Sequence, residues 1–377
     1  MNGNKLEVTF HGRKVGTLSE TPNHRIAFAY AREWLDTGFP ISPFSLPVKA
    51  GVFVPSSMNF GGLYGCFADS LPDAWGQLLM QRMFAKHGLK PDRVDLLTRL
   101  GAIGNAGMGA LCYQPAWSEW SLQALSDLDA LAEECRRTLI GEQTEDADTM
   151  FALAGSSGGA RPKVMTEEWI IKFPVAAEDQ DAGSMEKAYM DCAERCGIVV
   201  PETRLLPSKR CGGYFSVRRF DRETLPDGGI MRRHMLTAAA ILELDWRSSA
   251  MDYHTLMKLT KILCRDRRSE VEQMFRRMCF NVFAHNRDDH SKNFSYLYDE
   301  TNDCWSLSPA YDLTWSNTAY GEHTTTVDGN GRDPGIKELL AVGKAAGLSA
   351  AWCEKIAKEI QEETYPLEAR YKNRTFL

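Results

Sequence analysis

Nine residues, Asn286 to Phe294, read NRDDHSKNF and place an Arg, two Asp, a His, a Lys and two Asn between the apolar CFNVFAH and the alternating FSYLY. An aspartate in a short loop can accept a proton from a hydroxyl group, and Asp288 is followed five residues later by Asn293. FSYLY, DETND and CWSLS then predict strand, turn and strand, and the hairpin ends at PAYDLTW. Such a hairpin returns Asp312 to the edge from which Asn293 departs. Asn293 and Asp312 together suit Mg2+, which takes a few hard oxygen ligands from protein and the rest from phosphate. Asp289, Asp299 and Asp303 are expected instead to cap and build turns.

Arg-Asp-x-x-x-x-Asn is also the spacing of a kinase catalytic loop, where the Asp accepts the substrate proton and the Asn helps hold Mg2+ beside ATP. Parts that bind ATP should then lie upstream. GSSGGARPK, Gly155 to Lys163, is a glycine-rich turn between apolar segments. Glycines let backbone N–H groups approach phosphates closely, although such a run can equally be only a turn. It is not a Walker A loop, since no Gly-Lys-Ser/Thr follows. Lys172 sits inside the apolar WIIKFPV. A lysine there either pairs with ATP phosphates and a helix glutamate, with Glu186 the candidate, or snorkels at a sheet edge.

The elements that must position these residues read as follows. KLEVTFHGRKVGTL alternates at Leu6, Val8 and Phe10, turns at His11-Gly12-Arg13 and resumes, which predicts a hairpin. DSLPDAWGQLLMQRMFAKHG predicts a helix capped by Asp69 or Ser70, with Pro72 in its first turn and Gly88 at its end. Residues 115–150 read as helical and acidic, with DLDALAEECRRTLI clearest and Glu142 to Asp148 an exposed connection. FALAGSSGGARPKVMTEEWIIKFPV reads as strand, glycine turn, strand, turn, strand, and GGYFSVRRFDR as another strand. SMEKAYMDCAERC and VEQMFRRMCFNVFAH carry apolar residues at helical spacing, and Leu339 to Ile360 is again helical. The fold class is therefore α+β, with a β-rich N-terminal half and a mainly helical C-terminal lobe.

Composition sets limits on function. The chain has 377 residues, is 44% hydrophobic and 25% charged, and carries a formal net charge of −6. That balance argues against a nucleic-acid coat protein. MNGNKLEVTF has no apolar signal region and no stretch is long and uncharged enough to cross a bilayer, so a cytoplasmic protein is expected. The ten cysteines form no Cys-x-x-Cys pair, and reduced buried thiols are favoured over zinc or disulfides.

Taken together, FADSLPDAWGQLLMQR, GGARPK, IIKFPV, VRRFDR, HNRDDHSKNFS and LSPAYDLTW resemble the HipA family of serine/threonine kinases, the toxin halves of type II toxin–antitoxin pairs, from about residue 50 to 315. The resemblance implies a two-lobed protein-kinase-like fold: an N-terminal subdomain over 1–115, a small lobe over 116–225 and a helical lobe over 226–377. It places Gly158, Gly159, Ala160, Arg161, Pro162 and Lys163 over the ATP phosphates, with Lys172 binding them. Arg218, Arg219 and Phe220 become the hinge beside adenine, recognising it through the backbone; Arg218 stands where some relatives carry an acid. Asp288 becomes the catalytic base. His290, Ser291, Lys292 and Asn293 line the nucleotide site, and Tyr311 and Asp312 complete the metal site. Ser156, or Ser157 beside it, becomes a site of autophosphorylation. The implied cofactors are ATP and Mg2+. The implied partners are a HipB-like helix-turn-helix antitoxin, DNA bound through it, and a translation component such as an aminoacyl-tRNA synthetase as substrate. Two other readings remain open at this stage: a nucleotide-binding corepressor working with a DNA-binding partner, and a small-molecule kinase.

Overall fold

The N-terminal hairpin forms as its alternation predicts. Strands β1 (Lys5–Phe10) and β2 (Arg13–Glu20) pair antiparallel. His11 and Gly12, at φ 47° and 74°, make the left-handed two-residue turn whose twist matches the flanking strands. Leu6, Val8 and Phe10 are buried. Strand β3 (Ile26–Tyr30) adds to β2 and β4 (Leu111–Gln114) to β1, giving the order β3-β2-β1-β4. The computed structural model describes residues 5–117, 127–142, 147–154, 158–175, 180–247, 251–316, 318 and 321–371. They fall into two units, one of residues 1–180, 206–236 and 240–244, the other of 181–205, 237–239 and 245–377.

In the first unit, helix α1 (Ala74–Lys86) starts later than the sequence suggests. Asp69 instead closes a short helix, Gly65–Ala68, and the Ser70 hydroxyl bonds Tyr113 at 2.7 Å, so neither caps α1. Pro72 lies before the helix, and Asp73 takes the N-cap position. Helix α2 (Leu96–Ile103) is capped by Asp95, which accepts the Thr98 N–H, and α3 (Leu128–Leu139) by Asp127, which accepts the Ala130 N–H. The segment FALA, expected as a strand, belongs to helix α4 (Ala147–Ala154). Met150, Phe151, Leu153 and Ala154 are buried together on it, and they join Trp75, Met80 and Phe84 of α1 in one core. A short apolar run cannot by itself distinguish a buried helix from a strand.

That core is closed by strands β5 (Lys163–Met165), β6 (Trp169–Lys172) and β7 (Tyr214–Arg218), all antiparallel, with Val164, Ile171, Phe173 and Tyr214 packed into it. A second hairpin, β8 (Arg222–Thr224) and β9 (Ile230–Arg232), follows.

The second unit is mostly helical, as expected. Helix α5 (Ala182–Arg195) buries Met185, Tyr189, Cys192 and Ala193. Helices α6 (Tyr253–Leu263) and α7 (Arg268–Phe283) pack together, and α7 buries Met274, Phe275, Met278 and Cys279. Each buried methionine or phenylalanine contributes about 1.5–3 kcal/mol by leaving water. The predicted hairpin is β10 (Ser295–Asp299) with β11 (Cys304–Leu307). The stretch 339–360 is two helices, α8 (Ile336–Ala345) and α9 (Ala350–Tyr371), because Gly347 turns the chain at φ 87°. Gly343 lets α8 approach α7 and α9: a Cβ there would stand 2.6 Å from Cys353 Sγ and 2.7 Å from the Phe275 ring.

Candidate active site

In the first unit the glycine-rich turn is described from Gly158 onward; Ser156 and Ser157 lie outside the described residues. Gly159 adopts φ 84°, which few other residues take. Its N–H donates to the Asp73 carboxylate at 3.1 Å, and the Trp75 indole N–H donates to the Lys163 carbonyl at 3.0 Å. The start of α1 therefore fastens both ends of the turn. Lys163 is buried and its ammonium donates to the Gly158 carbonyl, so it braces the loop from within. Ala160 is exposed, Arg161 half-buried and Pro162 buried, its carbonyl accepting the Phe173 N–H at 2.9 Å. Lys172 is the register partner of Lys163 across β5–β6, half-buried, with Nζ 5.7 Å from the Phe215 ring centre.

The hinge candidates are tied to protein partners. Arg218 pairs with Glu168 and bonds the Thr224 hydroxyl, both at 3.0 Å. The Arg219 N–H donates to the Glu168 carbonyl at 2.7 Å, while its buried guanidinium grips both oxygens of Asp221 at 3.1 and 2.9 Å. Phe220 is half-buried. Asp221, 0% exposed, also receives Arg222 at 2.6 Å and the Gly109 N–H at 2.8 Å. Burial alone would push its carboxyl up. The flanking arginines and the Gly109 N–H overcome this and hold it well below the usual carboxylate range. Arg222 and Arg232 reach on to the Gly107 and Gly109 carbonyls.

In the second unit, α7 delivers the chain into the loop through His285, at φ 53°. The Asp288 N–H donates to Ser316 Oγ at 2.8 Å, and its carbonyl accepts the Asn293 amide at 2.5 Å. The Asp288 side chain is 59% exposed, and His290 Nε2 lies 3.7 Å from its Oδ1. Desolvation by its surroundings raises the Asp288 carboxyl. His290 opposes that rise, and the Asp312 and Asp289 charges add to it. Asp312 follows the hairpin at φ 56°, a left-handed conformation that non-glycine residues adopt mainly where surroundings enforce it. The Tyr311 hydroxyl donates to the Lys292 carbonyl at 2.6 Å and bonds Ser295 at 2.5 Å, so it joins the loop to the hairpin. Ser291 is buried. Glu186 lies on α5 and is 1% exposed.

Two carboxylates, Asp288 and Asp312, the second of which raises the first, together with an amide are a donor set that a small hard cation neutralises. Among the described residues no group of three or more His, Cys, Asp or Glu is placed to hold a metal ion by itself. Asp299 and Asp303 build the hairpin turn as expected: Asp299 accepts the Thr301 and Asn302 N–H groups, and Asp303 accepts the Tyr298 hydroxyl. Asp289 is fully buried.

Sequence reasoning assigned no role to Asp73, Trp75, Asp221, Trp246 or Ser316. Trp246 underlies the loop: its ring lies 4.6 Å from that of His290 and 5.9 Å from Lys292 Nζ. Asp73, Trp75 and Asp221 stood within motifs already singled out, but nothing in their spacing distinguishes a brace from a contact with ligand.

Residues 6–114 match the model of the HipA N-terminal domain and residues 155–366 that of the HipA-like C-terminal domain. The chain belongs to the HipA family. Two proteins of Sinorhizobium fredii are similar to it. One, named "Putative kinase Y4dM", is 25% identical over 82% of this chain and 76% of its own length. The other, named "Putative kinase Y4mE", is 27% identical over 84% and 78%. Among solved structures, HipA of the Shewanella oneidensis MR-1 toxin–antitoxin complex with HipB and operator DNA matches with a TM-score of 0.70. That match covers 97% of this chain and 90% of the other at 18% identity, and establishes the α+β, two-lobed kinase-like fold. Among the described residues no helix is long and apolar enough to cross a membrane.

Proposed function

We propose that this protein is an ATP- and Mg2+-dependent kinase that phosphorylates serine or threonine hydroxyls of protein. The observation that carries the reading is the Asp288 carboxylate. It is held from its backbone by Ser316 and Asn293, left exposed, and raised by desolvation and then by the Asp312 charge. A raised carboxyl is a better proton acceptor, so Asp288 takes the proton from the attacking hydroxyl. Asn293 and Asp312 are the residues that would hold Mg2+, which when bound neutralises charge on the transferring phosphate. Lys172 offers a fixed cation to the same phosphates, and the turn from Gly158 to Lys163 offers backbone N–H groups. Arg218 to Phe220 serve as the hinge beside adenine, Glu186 as the partner of Lys172, and Ser156 or Ser157 as the autophosphorylated residue. His290 to Asn293 line the nucleotide site with Tyr311.

Membership of the HipA family and the likeness to Shewanella HipA, which stands in complex with HipB and operator DNA, support a HipB-like antitoxin as partner, with DNA engaged through it. A translation component, such as an aminoacyl-tRNA synthetase, is the corresponding substrate and places the protein in the cytoplasm. The test is label transfer from γ-labelled ATP to protein by the wild-type chain and by Asp288→Asn. Loss of a general base lowers rate by roughly 10²–10⁴. Label on protein that Asp288→Asn transfers at the wild-type rate overturns the assignment. ATP turnover that leaves all protein unlabelled points to a small-molecule acceptor.

A further inference from the structure

Asp289 adjoins the proposed base but cannot reach a substrate, since its side chain is 0% exposed. A buried carboxylate is costly unless donors surround it, and this one has three. Oδ2 accepts the Tyr253 hydroxyl at 2.9 Å and His323 Nδ1–H at 3.1 Å, and Oδ1 accepts the Thr325 N–H at 3.1 Å. The Asp289 carbonyl accepts the Thr325 hydroxyl at 2.5 Å. On the other side of Asp288, the Arg287 carbonyl accepts both the N–H and the hydroxyl of Thr324, each at 3.0 Å. The two chain neighbours of Asp288 are thus bolted to two consecutive threonines. Behind them Asn281 donates to the Tyr253 oxygen at 2.8 Å, so the network continues into α7.

We propose that Asp289, with His323 as its donor, is a positioning residue that sets the direction of Asp288 by binding the loop to the segment His323–Thr325. With the backbone fixed on both sides, Asp288 retains only its own side-chain rotations. The space its carboxylate can sweep is therefore narrowed before substrate arrives, and small errors of placement are costly in rate: misplacement by about 1 Å lowers turnover roughly 100-fold. This inference rests on the phosphotransferase reading. It gives the segment after the metal-site aspartate a catalytic purpose distinct from binding nucleotide.

The test measures Mg-ATP hydrolysis, with water as acceptor, alongside Mg-ATP affinity by calorimetry and thermal midpoint. The full chain is compared with Asp289→Asn, His323→Ala, His323→Asn and Thr325→Val. Asp289→Asn, His323→Ala and Thr325→Val are expected to lower kcat roughly 10- to 100-fold per folded molecule with KM for ATP within twofold. His323→Asn, whose amide N–H replaces Nδ1–H, is expected to recover most of that loss. A purely structural role would lower midpoint and folded yield without this kcat-against-KM split and without rescue by asparagine, and that result overturns the proposal. If Asp289→Asn does not fold, the His323 pair and Thr325→Val decide by the same criteria. A wild-type chain that binds ATP but transfers phosphate neither to water nor to protein overturns the phosphotransferase reading, and this inference with it. Wild-type turnover matched by every variant overturns the positioning role alone.

Discussion

Replacing Asp221 by asparagine should be among the most damaging changes to the first unit, although it removes a charge and almost no volume. The carboxylate sits between two arginines whose side chains are 2% and 8% exposed, and it accepts the Gly109 N–H as well. Asparagine keeps one acceptor oxygen but turns an NH2 group toward guanidinium donors, leaving two buried cations uncompensated. Breaking a buried ion pair by removing one partner costs about 3–5 kcal/mol. In a unit of this size that lowers the thermal midpoint by roughly 6–20 °C. Glu7→Gln, which breaks the exposed pair with Lys14, should cause no measurable shift. Differential scanning calorimetry or a circular-dichroism melt reads both.

The pH dependence has a definite sign. The Asp221 carboxyl is held below its unfolded value, so its contribution to stability is complete above the ordinary carboxylate range. That contribution is lost as pH falls from about 4 toward the depressed folded value. Wild type should therefore lose stability through that acid range, and Asp221→Asn should show a flatter limb there. An Asp221→Asn protein that melts within 2 °C of wild type at about pH 7 would refute the claim that this carboxylate organises the arginines.

Lys172→Ala should weaken Mg-ATP affinity or turnover by removing a cation from the strand beside the glycine turn, as measured by calorimetry and label transfer; unchanged values in both leave Lys172 a purely structural lysine of a strand paired on both sides. Gly159→Val should weaken nucleotide binding while the fold persists, because φ 84° costs a side-chain-bearing residue about 1–2 kcal/mol and a Cβ there would meet Lys163 Nζ at 3.0 Å. Calorimetry of Mg-ATP binding checks it. Phosphate is expected on Ser156 or Ser157 of wild type but not of Asp288→Asn, read by peptide mass spectrometry. Ser156→Asp should bind ATP poorly, because a phosphoserine brings roughly −1.5 to −2 charges beside the triphosphate.

The elements with long, regular periodicity were legible in the sequence: the hairpin β1–β2, the helices α5 and α7, and the hairpin that leads to Asp312. Each buries one face along its whole length, so pattern and fold agree. The FALA segment misled because Met150, Phe151, Leu153 and Ala154 are too few to show a period, and their burial depends on α1. The start of α1 was misplaced for a related reason. Asp69, Ser70 and Asp73 are all good capping residues, and only tertiary partners separate them. Tyr113 takes the Ser70 hydroxyl and Gly159 takes the Asp73 carboxylate. Neither partner is near in sequence.

The same limit explains the candidate site. VRRFDR and NRDDH each place aspartate beside arginine, and in one dimension Asp221, Asp288 and Asp289 are equivalent acids. Folding makes them different. Asp221 and Asp289 are each surrounded by donors on both oxygens and fully withdrawn from water. Asp288 keeps its backbone pinned and its carboxylate exposed, with other acids close enough to raise it. A carboxylate whose acceptor sites are filled and which is withdrawn from water can brace a loop but cannot take a proton from an incoming hydroxyl. One that is exposed at the tip and destabilised as an anion can. Motif spacing brings the segment forward; burial and hydrogen-bond saturation separate the acids within it, and Asp288 is the one left with the exposed carboxylate that the proposed role requires.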